Sequence, residues 1–269
     1  MKNLDVNQIG ILGCGWLGTQ LASRLHSLKW NIKVTKTTNE GVVALQKLGF
    51  ESYRIALSEN SLEGDLTFFE NLDQLLISIP PKRDSNDRFS EKIDYLINTE
   101  KIKSNCRVIF LSSTSVYGKK EGIFNEVSTL SPETDAARHL VLSEKLIQNS
   151  TNPSVIVRLG GLIGKNRNPI FQLHKKVIPN PEGVINFIHE IDAVEGIFKL
   201  LSCIEVEGVF NLVSPHHPKR KDYYLQMAKK YNLSPPEFTK VNPLIERRIE
   251  ASKIQELTDF DYLVDNLLI

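Results

Sequence analysis

The sequence predicts an α/β protein built on a doubly wound parallel sheet, with a small C-terminal lobe. Three observations predict it. Short apolar runs alternate with segments of helical periodicity through the first two-thirds of the chain. Residues 107–112 form an almost continuous apolar run, the pattern of a central parallel strand covered on both faces. Near the N-terminus, a glycine-rich turn sits between an apolar strand and an amphipathic helix.

The elements follow in order. Residues 9–12 are the first strand, and residues 19–25 continue a helix on the Leu21, Ala22, Leu25 spacing. Residues 32–35 are a second strand, 41–48 a short helix and 53–57 a third strand. Residues 75–79 are a fourth strand, ended by Pro80-Pro81, which cannot continue a ladder. Phe89, Ile93, Leu96 and Ile97 set helical periodicity over 88–103. After the strand at 107–112 come a helix over 135–148 and a strand over 154–159.

Beyond Gly164 the composition changes to loop-like stretches, Lys165-Asn166-Arg167-Asn168-Pro169 and Pro179-Asn180-Pro181-Glu182-Gly183. An amphipathic helix over 191–204 and a strand over 209–213 then return to the sheet. The tail from Pro215 is richer in charge and proline, with helices near 222–231 and 250–257. The expected organisation is a sheet domain over 1–164, joined by 184–214, and a small lobe drawn from 165–269. No internal repeat and no low-complexity segment occurs.

The 269 residues carry 33 Lys plus Arg against 32 Asp plus Glu, a net charge of +1. No basic stripe stands out, so nucleic acid is not an expected partner. No apolar run is long enough to span a membrane, and the chain enters its first strand with no signal peptide. A cytoplasmic protein without a membrane partner, monomeric or homodimeric, is the expectation. Cys14, Cys106 and Cys203 are widely spaced in or beside apolar runs and read as buried free thiols.

The turn Gly13-Cys14-Gly15-Trp16-Leu17-Gly18 is a G-x-G-x-x-G in the context that gives the pattern its meaning. Gly13 permits the tight turn, Gly15 lets a pyrophosphate approach the backbone, and Gly18 lets helix and strand pack closely. The helix N-terminus then faces the phosphates. This is the fingerprint of a Rossmann-type dinucleotide site. Ser78 and Ile79, and Ser112, at the ends of two further strands, are expected to line it. Cys14 reads as a small residue that the loop admits rather than as a reactive thiol.

Sheets that bind NAD usually end the second strand with an acid, which accepts hydrogen bonds from the ribose 2′-OH. Here the strand ends in Lys36-Thr37-Thr38-Asn39. Lys36 offers positive charge and Thr37 and Thr38 offer hydroxyls to a 2′-phosphate, so NADP is favoured. NAD stays open, because Glu40 could swing in as the missing acid. The plainer alternative is a solvated Lys36 with Thr38 or Asn39 capping the next helix.

Four segments together resemble the extended and atypical short-chain dehydrogenase/reductases, the NAD-dependent epimerase/dehydratase group. They are the glycine turn; Leu111-Ser112-Ser113-Thr114-Ser115-Val116-Tyr117-Gly118; Arg158-Leu159-Gly160-Gly161-Leu162-Ile163-Gly164; and Asn186-Phe187-Ile188-His189-Glu190-Ile191-Asp192. The resemblance implies that Ser113 takes the place of the residue that hydrogen-bonds the reacting oxygen, and that the C-terminal lobe holds substrate. It also exposes a departure. Family members carry Tyr-x-x-x-Lys on the next helix; this chain has no such tetrad spacing anywhere, and the matching positions are Ala136 and Leu140.

Tyr117 and His139 are the candidate substitute acids and bases, since an unaided phenol near pKa 10 is a poor base at neutral pH. Arg138 is on the same helix, and His174 is a weaker candidate in the lobe. His189 and Asp192 lack a third ligand at useful spacing, so no metal is expected; a structural or capping role suits them better. His216-His217 reads as a solvated loop pair. The expected function is an NAD(P)(H)-dependent oxidoreductase or epimerase-like protein acting on a carbonyl or sugar-type small molecule, with a non-standard acid/base. The alternative is an NADP(H)-binding sensor or regulatory protein without turnover.

Overall fold

A computed structural model describes residues 8–82, 87–240 and 245–268. The elements, in chain order, are β1 (Gln8–Leu12), α1 (Trp16–Ser27), β2 (Asn31–Lys36), α2 (Asn39–Gln46), β3 (Glu51–Leu57), β4 (Leu62–Gly64), β5 (Gln74–Ile77), α3 (Phe89–Ile97), β6 (Arg107–Ser113), β7 (Gly122–Phe124) and α4 (Asp135–Gln148). They continue with β8 (Ser154–Leu159), β9 (Gly161–Ile163), α5 (Ile170–Leu173), β10 (Val177–Pro179), β11 (Phe187–His189), α6 (Glu190–Ser202), β12 (Gly208–Leu212), α7 (Arg220–Lys230), β13 (Glu237–Thr239), β14 (Arg247–Ile249) and α8 (Lys253–Leu257).

Eight strands form one sheet in the order β12-β8-β6-β5-β1-β2-β3-β4. The pairings β1–β2, β2–β3, β1–β5 and β5–β6 are parallel, and β4 closes the edge antiparallel to β3. From β1 the chain winds one way through β2 and β3, then starts again at β5 and winds the other way. The α/β fold with a large parallel central sheet is therefore as expected. The reversal point lies between β1 and β5, where open α/β sheets bind ligands beyond the carboxyl ends of their strands.

The chain divides into two compact units: 1–112 with 132–157 and 197–209, and 113–131 with 158–196 and 210–269. In the first, Ile9, Ile11, Val34, Leu75, Leu76, Val108 and Ile109 are buried from both sheet faces by the helices. Arg107 is buried here too. Its guanidinium donates to Gln74 Oε1 and to the carbonyls of Leu200 and Val206, while Gln74 Nε2 donates to the Leu201 carbonyl. Together they satisfy backbone carbonyls at and just beyond the end of α6, which have no partner within the helix.

The second unit has its own core of Ile163, Ile170, Ile178, Ile185, Tyr223, Tyr224, Met227, Ala228 and Leu267. Around it lie three two-stranded parallel ladders, β9–β11, β10–β13 and β7–β14. Among the described residues, no helix is long and apolar enough to cross a membrane.

Candidate functional site

The glycine turn leaves β1 under three constraints that the sequence itself supplies. Gly13 has φ +94°, and a Cβ there would strike Ile79 Cγ2 at 2.5 Å. A Cβ on Gly18 would come within 3.1 Å of the Gly13 carbonyl and 3.5 Å of Ile11, so helix and strand meet at that residue. A Cβ on Gly15 would meet nothing within 4 Å. Two glycines are thus needed by the protein's own packing, while the third faces open space.

Inside the turn the backbone donors are already used. Gly13 N–H donates to Thr35 Oγ1 at 2.9 Å, Cys14 N–H to the Thr35 carbonyl at 3.0 Å, and Gly15 N–H to the Gly13 carbonyl at 2.8 Å. A phosphate entering here would therefore be met by the first turn of α1. Helix geometry gives those N–H groups no carbonyl within the helix, and the N-cap Gly15 has no side chain to cap them.

A cavity of about 400 Å³ opens over this turn. It brings together Gly13, Gly15, Lys36, Thr37, Ser78 and Ile79 of the expected cofactor residues, with Thr35, Pro80 and Phe89 alongside. The apolar side chains of Ile55 and Leu57 from β3 line it as well. Its size and mostly apolar wall with few polar groups suit a small organic ligand. The Lys36 stem lies across the start of α2, where a Cβ on Gly41 would meet its Cγ at 2.9 Å.

Lys82, Asp87 and Lys92 also line this cavity. Asp87 Oδ1 accepts from Lys92 Nζ at 2.5 Å and Oδ2 from the Lys82 N–H at 2.6 Å. Burial works against the Asp87 charge, but the Lys92 hydrogen bond, the Lys82 N–H and the two lysine charges outweigh it and hold the carboxyl below the usual range. Nothing in the spacing 82, 87, 92 signals this cluster, because it depends on how the chain returns to α3.

The other expected cofactor residues lie outside the cavity wall. Leu17 and Gly18 are buried in the packing of α1, and Trp16 is half-buried at its start. Thr38 caps α2, its Oγ1 accepting from Gly41 N–H at 3.2 Å. Ser112 is buried and donates to Glu144 Oε1 at 2.5 Å. Cys14 is fully buried; burial pushes its thiol up, against weaker opposing effects of Thr19 and Lys36. A thiol held neutral in this way is a poor nucleophile.

The three catalytic candidates have different surroundings. Ser113 Oγ accepts the Ser115 N–H at 3.1 Å, capping a short 3-10 turn, and that bond leaves its own O–H as a donor. Tyr117 is fully buried; its hydroxyl donates to Asn211 Oδ1 and accepts from Arg158 Nη1, each at 2.8 Å. Burial raises its pKa despite the Arg158 charge, so the phenol stays protonated and serves the packing. His139 is half-buried, with Nδ1 and Ser90 Oγ 2.8 Å apart where α4 meets α3. Leu140 on α4 is buried, 4% exposed.

His189, His216, His217 and Asp192 have structural uses, whereas the lobe candidate His174 buries its Nδ1 with no hydrogen-bond partner. Asp192 Oδ1 accepts the N–H groups of Leu263 at 2.7 Å and Val264 at 3.3 Å, and His189 Nδ1 accepts that of Ile191. The pair His216-His217 corrects the expectation of a solvated loop. His216 Nδ1 accepts the Leu267 N–H at 2.9 Å, and His217 is half-buried with Nδ1 at 3.1 Å from the Ile185 carbonyl. Among the described residues, no group of three His, Cys, Asp or Glu side chains could hold a metal.

No family model matches the chain. Protein YeeZ of Escherichia coli (strain K12) is 32% identical over 265 residues, covering 96% of each chain. Among solved structures, the UDP-Glc/GlcNAc 4-epimerase of Campylobacter jejuni superposes with TM-score 0.78 at 19% identity, covering 97% of this chain and 96% of that one. UDP-glucuronic acid 4-epimerase of Bacillus cereus, in complex with NAD, gives TM-score 0.76 at 18% identity over 97% and 95%. A functionally unknown conserved protein of Silicibacter pomeroyi DSS gives 0.74 at 21% over 97% and 95%. At these identities the structural likeness establishes the fold.

Proposed function

The chain belongs to the family of Protein YeeZ, and from that premise we propose that it is an NADP(H)-binding protein that transfers hydride to or from a carbonyl or sugar-type small molecule. The observation that carries the reading is the cavity at the reversal point of the sheet. There an open face over Gly15 meets the start of α1, and Lys36 stands at the end of β2. The structural likeness to UDP-sugar 4-epimerases, one of them in complex with NAD, supports a nicotinamide dinucleotide and epimerase-like chemistry.

In this reading Gly15 and the first turn of α1 would hold the dinucleotide pyrophosphate. Lys36 and Thr37 receive the 2′-phosphate, and Ser78 and Ile79 border the path of the cofactor along the end of β5. Bound nicotinamide supplies or accepts the hydride. Ser113 donates its free O–H to the reacting oxygen. Acid–base work falls outside Tyr-x-x-x-Lys chemistry, since Ala136 and Leu140 occupy those places. His139, whose Nε2 takes no part in the Ser90 contact, is the substitute this reading retains. The same absence favours a second reading, a dinucleotide sensor without turnover.

Calorimetric titration tests the cofactor assignment. NADP⁺ should bind more tightly than NAD⁺, and Lys36→Ala should remove most of the difference. A charge-assisted hydrogen bond to the 2′-phosphate is worth about 1.5–3 kcal/mol, or roughly ten- to more than a hundredfold in affinity. Equal affinities in the parent protein, or a preference for NAD⁺, would contradict the NADP(H) assignment. The sensor reading requires that no member of a carbonyl and sugar panel oxidise or reduce the bound cofactor.

A further inference from the structure

We infer that Thr35 is the positioning residue of the phosphate turn, holding Gly13 and Cys14 so that the face over Gly15 stays open. The inference rests on the dinucleotide reading above. Thr35 stands on β2, one residue before its end, and is 1% exposed. Its Oγ1 accepts the Gly13 N–H at 2.9 Å and donates to the Ile11 carbonyl at 3.4 Å, while its own carbonyl accepts the Cys14 N–H at 3.0 Å. One residue thereby ties the exit of β1, the left-handed Gly13 and the following peptide to the neighbouring strand. Its next neighbour along β2 is Lys36, so the same strand end sets the turn and presents the cation.

The consequence follows from hydrogen-bond satisfaction. Valine has the shape of threonine but no acceptor, so Thr35→Val leaves the half-buried Gly13 N–H without its partner in the native turn. An unpaired, partly desolvated donor is costly, and the free turn relaxes towards water. Dinucleotide binding must then restore the native turn, which lowers apparent affinity by the fraction of molecules that are competent. The pyrophosphate is common to NAD⁺ and NADP⁺, so both should weaken by a similar factor. Disturbing Lys36 would instead act on NADP⁺ alone.

The test is calorimetry with NADP⁺ and NAD⁺ on the full chain, as parent, Thr35→Val and Thr35→Ser, each first shown folded by its thermal melt. Thr35→Val should bind both dinucleotides about tenfold more weakly or worse. Thr35→Ser, which keeps the Oγ, should bind them close to the parent. Parental affinity in Thr35→Val, loss confined to NADP⁺, or loss in Thr35→Ser equal to that in Thr35→Val would each overturn the positioning role. Should Thr35→Val fail to fold, Thr35→Ser decides alone: near-parental affinity supports the role and a tenfold loss overturns it. A parent protein that binds neither dinucleotide overturns the function reading itself, a result distinct from all of these.

Discussion

At the scale of single residues, identity and occupation separate. Ser112 and Ser113 are adjacent serines at the end of β6, yet one is spent on buried Glu144 while the other keeps a donor. Thr37 and Thr38 divide likewise: Thr37 lines the cavity and Thr38 caps α2. Sequence spacing cannot separate such pairs, because strand alternation and helix caps decide which hydroxyl is spent. Ser113 carries a direct prediction. Removing one preorganised donor from a reacting oxygen costs about 10²–10³ in rate. Ser113→Ala should therefore depress hydride transfer by about that factor and leave NADP⁺ affinity nearly unchanged. Steady-state kinetics beside calorimetry checks it, and hydride transfer indifferent to Ser113 contradicts the assignment.

At the scale of elements, the strands and helices of the large sheet were legible because they are long enough to show their period. The expected helix over 135–148 and strand over 154–159 coincide with α4 and β8; the helix expected over 88–103 stops at Ile97, and the other sheet elements differ by one to three residues at their ends. The three-residue strands β4, β7, β9, β10, β11, β13 and β14 were not legible. Three residues show no alternation, and such strands exist because tertiary packing supplies their partners. The polar network around Tyr117 belongs to this scale. Tyr117 OH joins Asn211 on β12 to Arg158 on β8, and Asn211 also binds Glu126 Oε1 and the Glu250 carbonyl. Tyr117→Phe leaves Asn211 Oδ1 without that donor and should cost about 1–3 kcal/mol of stability. Denaturant unfolding reads the loss. If stability holds and turnover vanishes instead, the phenol is an acid/base and its structural role is mistaken.

At the scale of the whole molecule, winding order and turn chemistry converge on one place. The chain reverses between β1 and β5, and Gly13, Gly15 and Lys36 gather there. The glycines and Lys36 were readable because a fingerprint of fixed spacing carries its own geometry. Thr35 and the Asp87–Lys92 pair were not, because their value depends on which strand and helix lie beside them in three dimensions. The account's central claim is that this place holds a dinucleotide. A ligand that binds only the folded protein raises stability by about 2.7 kcal/mol at a hundred times its Kd, a readily measured rise in Tm. Since a Cβ at Gly15 meets nothing within 4 Å, Gly15→Val should still fold and melt cooperatively without ligand, with its Tm lowered only by the poorer N-cap of α1. The decisive measurement is thermal melting of parent and Gly15→Val with and without saturating NADP⁺. The account predicts that NADP⁺ raises the parental Tm and leaves that of Gly15→Val unmoved; equal rises in both, or none in the parent, would contradict it.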